Sequence, residues 1–280
     1  MREIQASTIT ETVKDLFLSA NYYIGSDICN GLKCALEKET SLIGQSVLEQ
    51  IIENNVIAAD DKVPICQDTG MAVIFVEVGQ DVHIVGNFED AMNEGVRQAY
   101  LEGYMRKSVV EDPLFNRVNT KDNTPAIIHT KIIPGDKISI LVMPKGFGSE
   151  NMSAVRMLKP SQGVEGVMDF VLETVKIAGP NPCPPIVVGI GIGGTLEKAC
   201  LLAKKATARN IDIHNTAPEY AELESKLLTK INKLGIGPGG MGGNTTALAV
   251  NIECYPTHIA GLPVAVNICC HAARHASAVL

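Results

Sequence analysis

Three separate segments of the sequence place cysteine in a stretch of chain that proline, glycine or asparagine makes locally stiff. Residues 63–70 read Val-Pro-Ile-Cys-Gln-Asp-Thr-Gly, so a thiol, an amide, a carboxylate and a hydroxyl occupy four successive positions. Cys183 lies between prolines, which restrict the backbone on both sides of it. Cys269 and Cys270 are adjacent near the end of the chain. Rigidly presented thiols suit a metal site, although a buried cysteine before a turn is an equally ordinary structural feature.

The spacing of these cysteines limits the kind of metal site that they could form. They lie far apart in the chain, and no pair has the short Cys-x-x-Cys spacing, which excludes zinc-finger and ferredoxin-type sites. Cys269 and Cys270 would point to opposite faces of a strand, so only one of them could face a site. Three thiolates would leave one iron of a four-iron cluster without a protein ligand, and a Lewis-acid catalyst needs such an open position.

Three glycine-rich segments could bind an anion through backbone N–H groups. The segment Val187–Thr195 formally contains G-x-G-x-x-G, with Asp212 beyond it. This pattern is typical of a dinucleotide site, so an NAD-binding oxidoreductase is an alternative, but it also suits anion binding at a helix N-terminus. The other two segments are Lys145–Asn151 and Gly235–Thr246, whose glycines either hold a ligand or only form turns.

Two charged or titratable residues outside these segments are further candidates. Arg106 could form a bidentate pair with a substrate carboxylate, although a solvated helix face is the commoner place for an arginine. His258 stands at the start of an apolar stretch, where a histidine is more often structural than catalytic.

The composition excludes several functional classes. The 280 residues are 46% hydrophobic, carry a net charge of −7 and contain no tryptophan and no basic block, so nucleic acid is not an expected partner. The first ten residues lack the hydrophobic core of a signal peptide, and the apolar stretches at 184–192 and 259–270 are too short to span a bilayer. We therefore expect no membrane partner and a cytoplasmic protein whose eight cysteines are reduced.

The hydrophobic periodicity predicts an α/β (mixed α+β) fold. A helical N-terminal layer should pack on a mixed sheet region, with Gly-rich loops around a cluster site. A capping-box pattern at Thr8–Glu11 predicts the first helix start. The predicted helices cover residues 8–20, 26–36, 40–55, 88–107, 163–178, 195–209 and 219–234, and the predicted strands cover 71–78, 125–133, 137–144, 185–191, 245–254 and 258–269. We expect residues 1–280 to form a single domain, divided at most into subdomains 1–60 (helical) and 61–280 (mixed α/β).

Six motifs, taken together and in order, resemble the class I fumarate hydratase and L-tartrate dehydratase family. They extend through nearly the whole chain and are ICQDTG (65–70), PKGFGSEN (144–151), NPCPP (181–185), GIGIGG (189–194), GIGPGGMGG (235–243) and VNICCH (266–271). Phe147 departs from the family pattern, which commonly has glycine there, and Cys269 adds a second thiol beside a ligand position.

The resemblance implies an iron–sulfur site and a set of substrate contacts. A [4Fe–4S] cluster with one open iron would be held by Cys66, Cys183 and Cys270. Substrate binding is implied for Gln67, Arg106 and Gly148, and catalytic proton handling for Asp68 and His258. Cys270 is preferred to Cys269 because the ligand in this family directly precedes the position of His271.

The implied reaction is the reversible hydration of fumarate to (S)-malate, a step of the tricarboxylic acid cycle. Single-chain members of the family continue into a second domain, so this chain resembles the α subunit of the two-chain form. A separate β subunit, in an expected α2β2 assembly, would complete the site around a small dicarboxylate. An L(+)-tartrate dehydratase α subunit is the alternative, and a non-catalytic cluster-carrying subunit is a further one.

Overall fold

Helices and strands occur throughout residues 2–280, which are the residues that the computed structural model describes. In chain order they are β1 (Arg2–Gln5), α1 (Ala6–Tyr22), α2 (Ser26–Lys38), α3 (Leu42–Asp61), β2 (Met71–Gly79), β3 (Val82–Val85), α4 (Phe88–Glu102), β4 (Ile127–Ile133), β5 (Ile138–Lys145), α5 (Phe147–Glu150), β6 (Ala154–Leu158), α6 (Gly163–Ala178), β7 (Ile186–Gly193), α7 (Leu196–Ala206), α8 (Pro218–Asn232), β8 (Ala247–Tyr255), β9 (Leu262–Cys269) and β10 (Ala276–Val279). The predicted α/β class is confirmed.

The chain divides into two compact units, each built from separate stretches of sequence. The first unit comprises Met1–Ile24, Asn54–Phe147 and Arg274–Leu280, and the second comprises Gly25–Glu53 and Gly148–Ala273. Each unit therefore draws on residues from both sides of position 60. The expected single domain of residues 1–280, with its subdomains 1–60 and 61–280, stays a prediction.

The first unit is built on a four-stranded sheet in the order β10-β5-β2-β4. Strand β2 runs parallel to β4 and antiparallel to β5, so β4 and β5 are not neighbours although a turn joins them in sequence. Helix α1 buries Ile9, Val13 and Phe17, which recur every four residues and so share one helix face. They join Ile74 of β2 and Ile140 of β5 in one hydrophobic core. The separate pair β1–β3 is parallel.

The second unit is built on a sheet in the order β6-β9-β7-β8, in which β7 is parallel to β8 and antiparallel to β9. All eight residues of β7 are buried, as expected for a central strand that is covered on both faces. Its alternate residues Val188, Ile190 and Ile192 join a core with residues of α6 and α8.

The glycines that alternate with these residues allow α7 to pack directly against β7. A Cβ atom added to Gly189 would lie 2.1 Å from the Ala203 carbonyl oxygen, and one added to Gly191 would lie 2.0 Å from the Ala199 carbonyl oxygen. The helix backbone therefore occupies the space that a side chain would need. Two glycines of the dinucleotide-like pattern are thus explained by helix–sheet contact, and they do not lie in a phosphate-binding turn.

Several predicted helix boundaries are wrong, and the largest error is in α3, which was predicted to end at residue 55 and continues to Asp61. Helix α1 begins at Ala6, so Thr8 lies inside the helix, where its carbonyl oxygen accepts a hydrogen bond from Thr12 Oγ1, and the capping-box prediction fails. The helix that was predicted to reach residue 107 ends at Glu102, because Tyr104 has a φ of +55°, which a right-handed helix does not allow.

Four short strands were not predicted from the sequence. Strands β1, β3, β6 and β10 contain four or five residues each, and their side chains are mostly exposed or half-buried. Such short strands give little periodic signal. Strands β6 and β10 pair with the longer strands β9 and β5, whereas β1 and β3 pair with each other. Within residues 2–280, no helix is both long enough and apolar enough to cross a membrane.

We expect Gly189→Ala to lower the free energy of unfolding by about 1–3 kcal/mol, because the added methyl group overlaps the α7 backbone. Denaturant unfolding of the purified chain measures this change. Gly261→Ala is the matched control, since its added Cβ would meet no atom closer than 3.8 Å, and it should change stability by no more than about 0.5 kcal/mol. Equal stability of the two variants would contradict the packing argument.

Candidate functional site

The segment Ile65–Gly70, which joins α3 to β2 in the first unit, is fixed by hydrogen bonds at both ends. The Ile65 N–H donates to the Asn21 carbonyl oxygen over 2.9 Å. Tyr100 Oη donates to the carbonyl oxygens of the last two residues of the segment, over 2.8 and 2.9 Å. Between these anchors, Cys66 is half-buried and Gln67 is exposed. The thiol and the amide are therefore presented by a backbone that cannot move freely.

The close approach of β5 explains why this segment ends in glycine. Gly70 has a φ of +80°, and a Cβ atom added to it would lie 2.6 Å from the Lys145 backbone nitrogen. Both the left-handed conformation and the missing space exclude a larger residue. The Thr-Gly end of the motif is thus required by the turn into β2.

The carboxylate of Asp68 is oriented by two backbone N–H groups. Asp68 Oδ1 accepts a hydrogen bond from the Gly70 N–H over 3.0 Å, and Oδ2 accepts one from the Phe147 N–H over 2.8 Å. Charge-assisted hydrogen bonds of this kind hold a carboxylate in one position. The next residue in the chain, Gly148, belongs to the second unit and is exposed.

Arg106 is tied to the same segment through its backbone. The Arg106 N–H donates to Thr69 Oγ1 over 3.0 Å, and Thr69 Oγ1 donates to the Arg106 carbonyl oxygen over 3.2 Å. The residue itself is exposed. The first unit therefore brings together four of the predicted site residues, namely Cys66, Gln67, Asp68 and Arg106.

The second unit brings Cys183 and Cys270 to the same end of its sheet. Strands β7 and β9 are antiparallel, with Val187 opposite Cys269, so the start of β7 and the end of β9 meet. The His271 N–H donates to the Cys183 carbonyl oxygen over 3.4 Å. Cys183 is exposed and Cys270 is half-buried, whereas Cys269 is buried. The choice of Cys270 over Cys269 as the candidate ligand stays a prediction.

The glycine-rich segment Gly235–Thr246 packs beside Cys183 and is anchored by a buried glutamate. The Gly239 N–H donates to the Pro184 carbonyl oxygen over 2.8 Å. Glu39, which is 3% exposed, accepts hydrogen bonds from the N–H groups of Asn244 and of the two residues that follow Glu39 itself. This carboxylate anchor was not predicted, because nothing in the local sequence links residue 39 to the glycines.

His258 does not lie with the two cysteines of the second unit. It precedes β9, whereas Cys270 follows this eight-residue strand, so the length of the strand separates them by more than about 20 Å. His258 Nδ1 accepts a hydrogen bond from the Ala260 N–H over 3.1 Å. Its side chain lines a mostly apolar cavity of about 400 Å³ together with residues such as Val164 and Leu223.

The thiols agree with an iron–sulfur site in type and in accessibility, but the chain offers no assembled metal-binding group. Cys66, Cys183 and Cys270 lie in loops and reach the surface at least in part. Among residues 2–280, no group of three or more His, Cys, Asp or Glu side chains is placed to hold a metal ion. Cys66 belongs to the first unit and the other two cysteines to the second.

Two buried residues beneath the Ile65–Gly70 segment were missed by the sequence reasoning. Tyr100 is fully buried, and burial raises the pKa of its phenol; the negative charge of Asp68 raises this pKa further, whereas Arg274 opposes the shift. Arg274 is 4% exposed, and its Nη2 donates to the Asp68 carbonyl oxygen. The only sequence feature that could have pointed to Arg274 was the His/Arg-rich end of the chain.

Comparison with known proteins gives one family and several close relatives. Residues 10–279 match the family described as fumarate hydratase (Fumerase). A protein of Methanocaldococcus jannaschii, provisionally named L(+)-tartrate dehydratase subunit alpha, is 46% identical over 274 residues, which cover 96% of each chain. The L(+)-tartrate dehydratase subunit alpha of Escherichia coli O157:H7 is 34% identical over 270 residues, which cover 95% of this chain and 88% of the relative.

The raised pKa of Tyr100 predicts how stability depends on alkaline pH. The folded protein binds the phenolic proton more tightly than the unfolded chain, whose tyrosines titrate near 10.0. The stability contributed by Tyr100 is therefore complete below about pH 10 and is lost as the pH rises further. The free energy of unfolding should fall less steeply between about pH 9 and pH 11 in Tyr100→Phe than in the wild type. Tyr104→Phe is the control, because Tyr104 is 84% exposed; identical slopes in all three proteins would contradict the prediction.

Proposed function

Because the chain belongs to the fumarate hydratase (Fumerase) family, we propose that it is the α subunit of a [4Fe–4S]-dependent hydro-lyase that hydrates fumarate to (S)-malate. The observation that carries this proposal is the fixed segment Ile65–Gly70. It presents a thiol, an amide and a carboxylate on successive residues, with Arg106 tied beside them. Local positive charge is needed, because the net charge of −7 would not attract a dicarboxylate.

In this proposal Cys66, Cys183 and Cys270 hold the cluster. Their residue type, their positions in loops and their accessibility support this assignment. When bound, a cluster with three thiolate ligands supplies one iron that has no protein ligand and can act as a Lewis acid toward oxygen groups.

The side chains of the chain itself bind and orient the substrate. The Arg106 guanidinium neutralises one substrate carboxylate, and a bidentate contact fixes the direction of that carboxylate. The Gln67 amide and the Gly148 N–H orient the remaining oxygens. Both Asp68 oxygens already accept backbone N–H groups, so this carboxylate is held ready for proton handling in one position. His258 is also assigned to proton handling, and only the family resemblance supports this assignment.

A separate β subunit completes the site in the proposed enzyme. The relatives are named subunit alpha, which supports a partner chain, and we propose an α2β2 assembly. The eight cysteines, in a chain without a signal-peptide pattern, support a reducing, cytoplasmic compartment. The substrate is a small dicarboxylate, and the reaction is a step of the tricarboxylic acid cycle.

Cluster loading tests the cysteine assignment. The chain should bind about four irons after anaerobic reconstitution with iron and sulfide, and should hydrate fumarate only with its β subunit. Alanine at Cys66, Cys183 or Cys270 should abolish both properties, since an iron loses its ligand. Cys34→Ala is the matched control, because Cys34 is an exposed thiol on α2. Full iron content and activity in Cys66→Ala would refute the assignment.

L(+)-tartrate is the second candidate substrate, and the names of the two relatives favour it. A panel of fumarate, (S)-malate and L(+)-tartrate, assayed with the αβ complex, separates the two. If fumarate is the substrate, its kcat/KM should exceed that of tartrate by more than about tenfold, which corresponds to ~1.4 kcal/mol. The reverse order would replace fumarate by tartrate, and inactivity toward all three would reject the hydro-lyase proposal.

A further inference from the structure

Arg274 is a buried cation in the first unit, and two of its guanidinium nitrogens bind the elements on either side of it. Its Nη2 donates to the Asp68 carbonyl oxygen over 2.7 Å, and its Nη1 donates to Asn21 Oδ1 over 3.0 Å. Both acceptors are neutral, and within residues 2–280 the buried Nε has no hydrogen-bond partner. Burying a guanidinium with an unpaired Nε costs free energy, which the nearby Asp68 carboxylate offsets in part. A Cβ atom added to Gly146 would lie 3.1 Å from Asp68 Oδ2 and 3.6 Å from Arg274 Nη2, so the two charged groups face the same space. This free-energy cost suggests that the buried Arg274 side chain has a role in the candidate site.

Asn21 extends this contact to the other end of the same segment. Asn21 is fully buried, and its Nδ2 donates to the Phe17 carbonyl oxygen over 3.0 Å, which holds it against its own helix. The backbone carbonyl oxygen of Asn21, which is not the atom that Arg274 contacts, accepts the Ile65 N–H. Arg274 and Asn21, which we call the clamp, therefore hold the residue before Cys66 and the residue after Gln67.

We propose that Arg274 is a positioning residue for the Cys66 thiol and the Gln67 amide. It holds the Asp68 carbonyl oxygen on one side of them directly, and on the other side it holds the side chain of Asn21, whose backbone carbonyl oxygen binds Ile65. A guanidinium suits this role, because its planar fork reaches two acceptors in fixed directions, which an ammonium group cannot do. The expected effect of Arg274 on enzyme kinetics rests on the proposed function. The expected effect on the reactivity of the Cys66 thiol does not, since it is measured in the metal-free chain.

The reactivity of Cys66 in the metal-free, full-length chain is the first test. Iodoacetamide labelling followed by peptide mass spectrometry gives the rate at Cys66 relative to the exposed Cys34 in the same molecule. Arg274→Ala should raise this ratio about tenfold, because the segment opens locally once the clamp is lost. Millimolar guanidinium should lower it again by refilling the vacated space. Arg274→Lys keeps the charge and should raise the ratio by about threefold. This variant provides the test if the alanine variant fails to fold.

Arg209→Ala is the matched control. Arg209 is also a largely buried arginine, but it lies in the second unit, where it contacts Glu224 and Glu253. Its loss should lower the unfolding temperature and leave the Cys66 ratio unchanged. The proposal is overturned if Arg274→Ala loses stability but, like Arg209→Ala, leaves the ratio at the wild-type value.

Kinetics with the β subunit form the second test. Arg274→Lys should reduce kcat/KM by about a hundredfold, mostly through kcat, because a small displacement of orienting groups has this effect. Arg209→Ala should keep the wild-type kcat for each loaded site. Wild-type kcat in Arg274→Lys would overturn the positioning role, whereas an inactive wild type would reject the proposed function and leave the thiol test valid.

Discussion

The backbone of the Ile65–Gly70 segment is the feature on which the candidate site depends. Its anchors come from distant parts of the sequence, namely a carbonyl group of α1, a phenol of α4 and a guanidinium that precedes β10. Each anchor takes a backbone group of the segment and leaves the side chains of Cys66 and Gln67 for other contacts. A short loop becomes rigid in this way because its backbone polar groups are bonded to buried partners.

Close packing sets a second constraint in the other unit. Strand β7 is covered on both faces, and its glycines let the α7 backbone approach where side chains would stand. The antiparallel register with β9 then brings the Cys183 loop to the end of β9 at Cys270. The same register sends His258 to the opposite end of the strand. The unit therefore pairs two predicted ligands and separates the predicted histidine from them.

The elements that the sequence predicted well are those with long periodic patterns. Helices α1, α2, α6 and α8 and strands β2, β7 and β9 carry apolar residues at regular spacing, and burial in a core enforces that spacing. The capping box at Thr8 and the C-terminal end of α4 were predicted wrongly. Both predictions depend on single residues, where a local motif competes with tertiary contacts. The dinucleotide-like glycines show the same limit, because one pattern serves either a phosphate turn or a tight helix contact.

The sequence by itself determined the family, the α/β class, the three candidate thiols and the residues next to Cys66, since these depend on residue type and order along the chain. Only the tertiary structure decided which of those residues meet. It joined Arg106 to Thr69, set Cys183 beside His271, placed Glu39 under the glycine-rich segment and buried Arg274 beneath Asp68. These contacts link residues far apart in sequence, and they form because buried polar groups must find partners when the cores assemble.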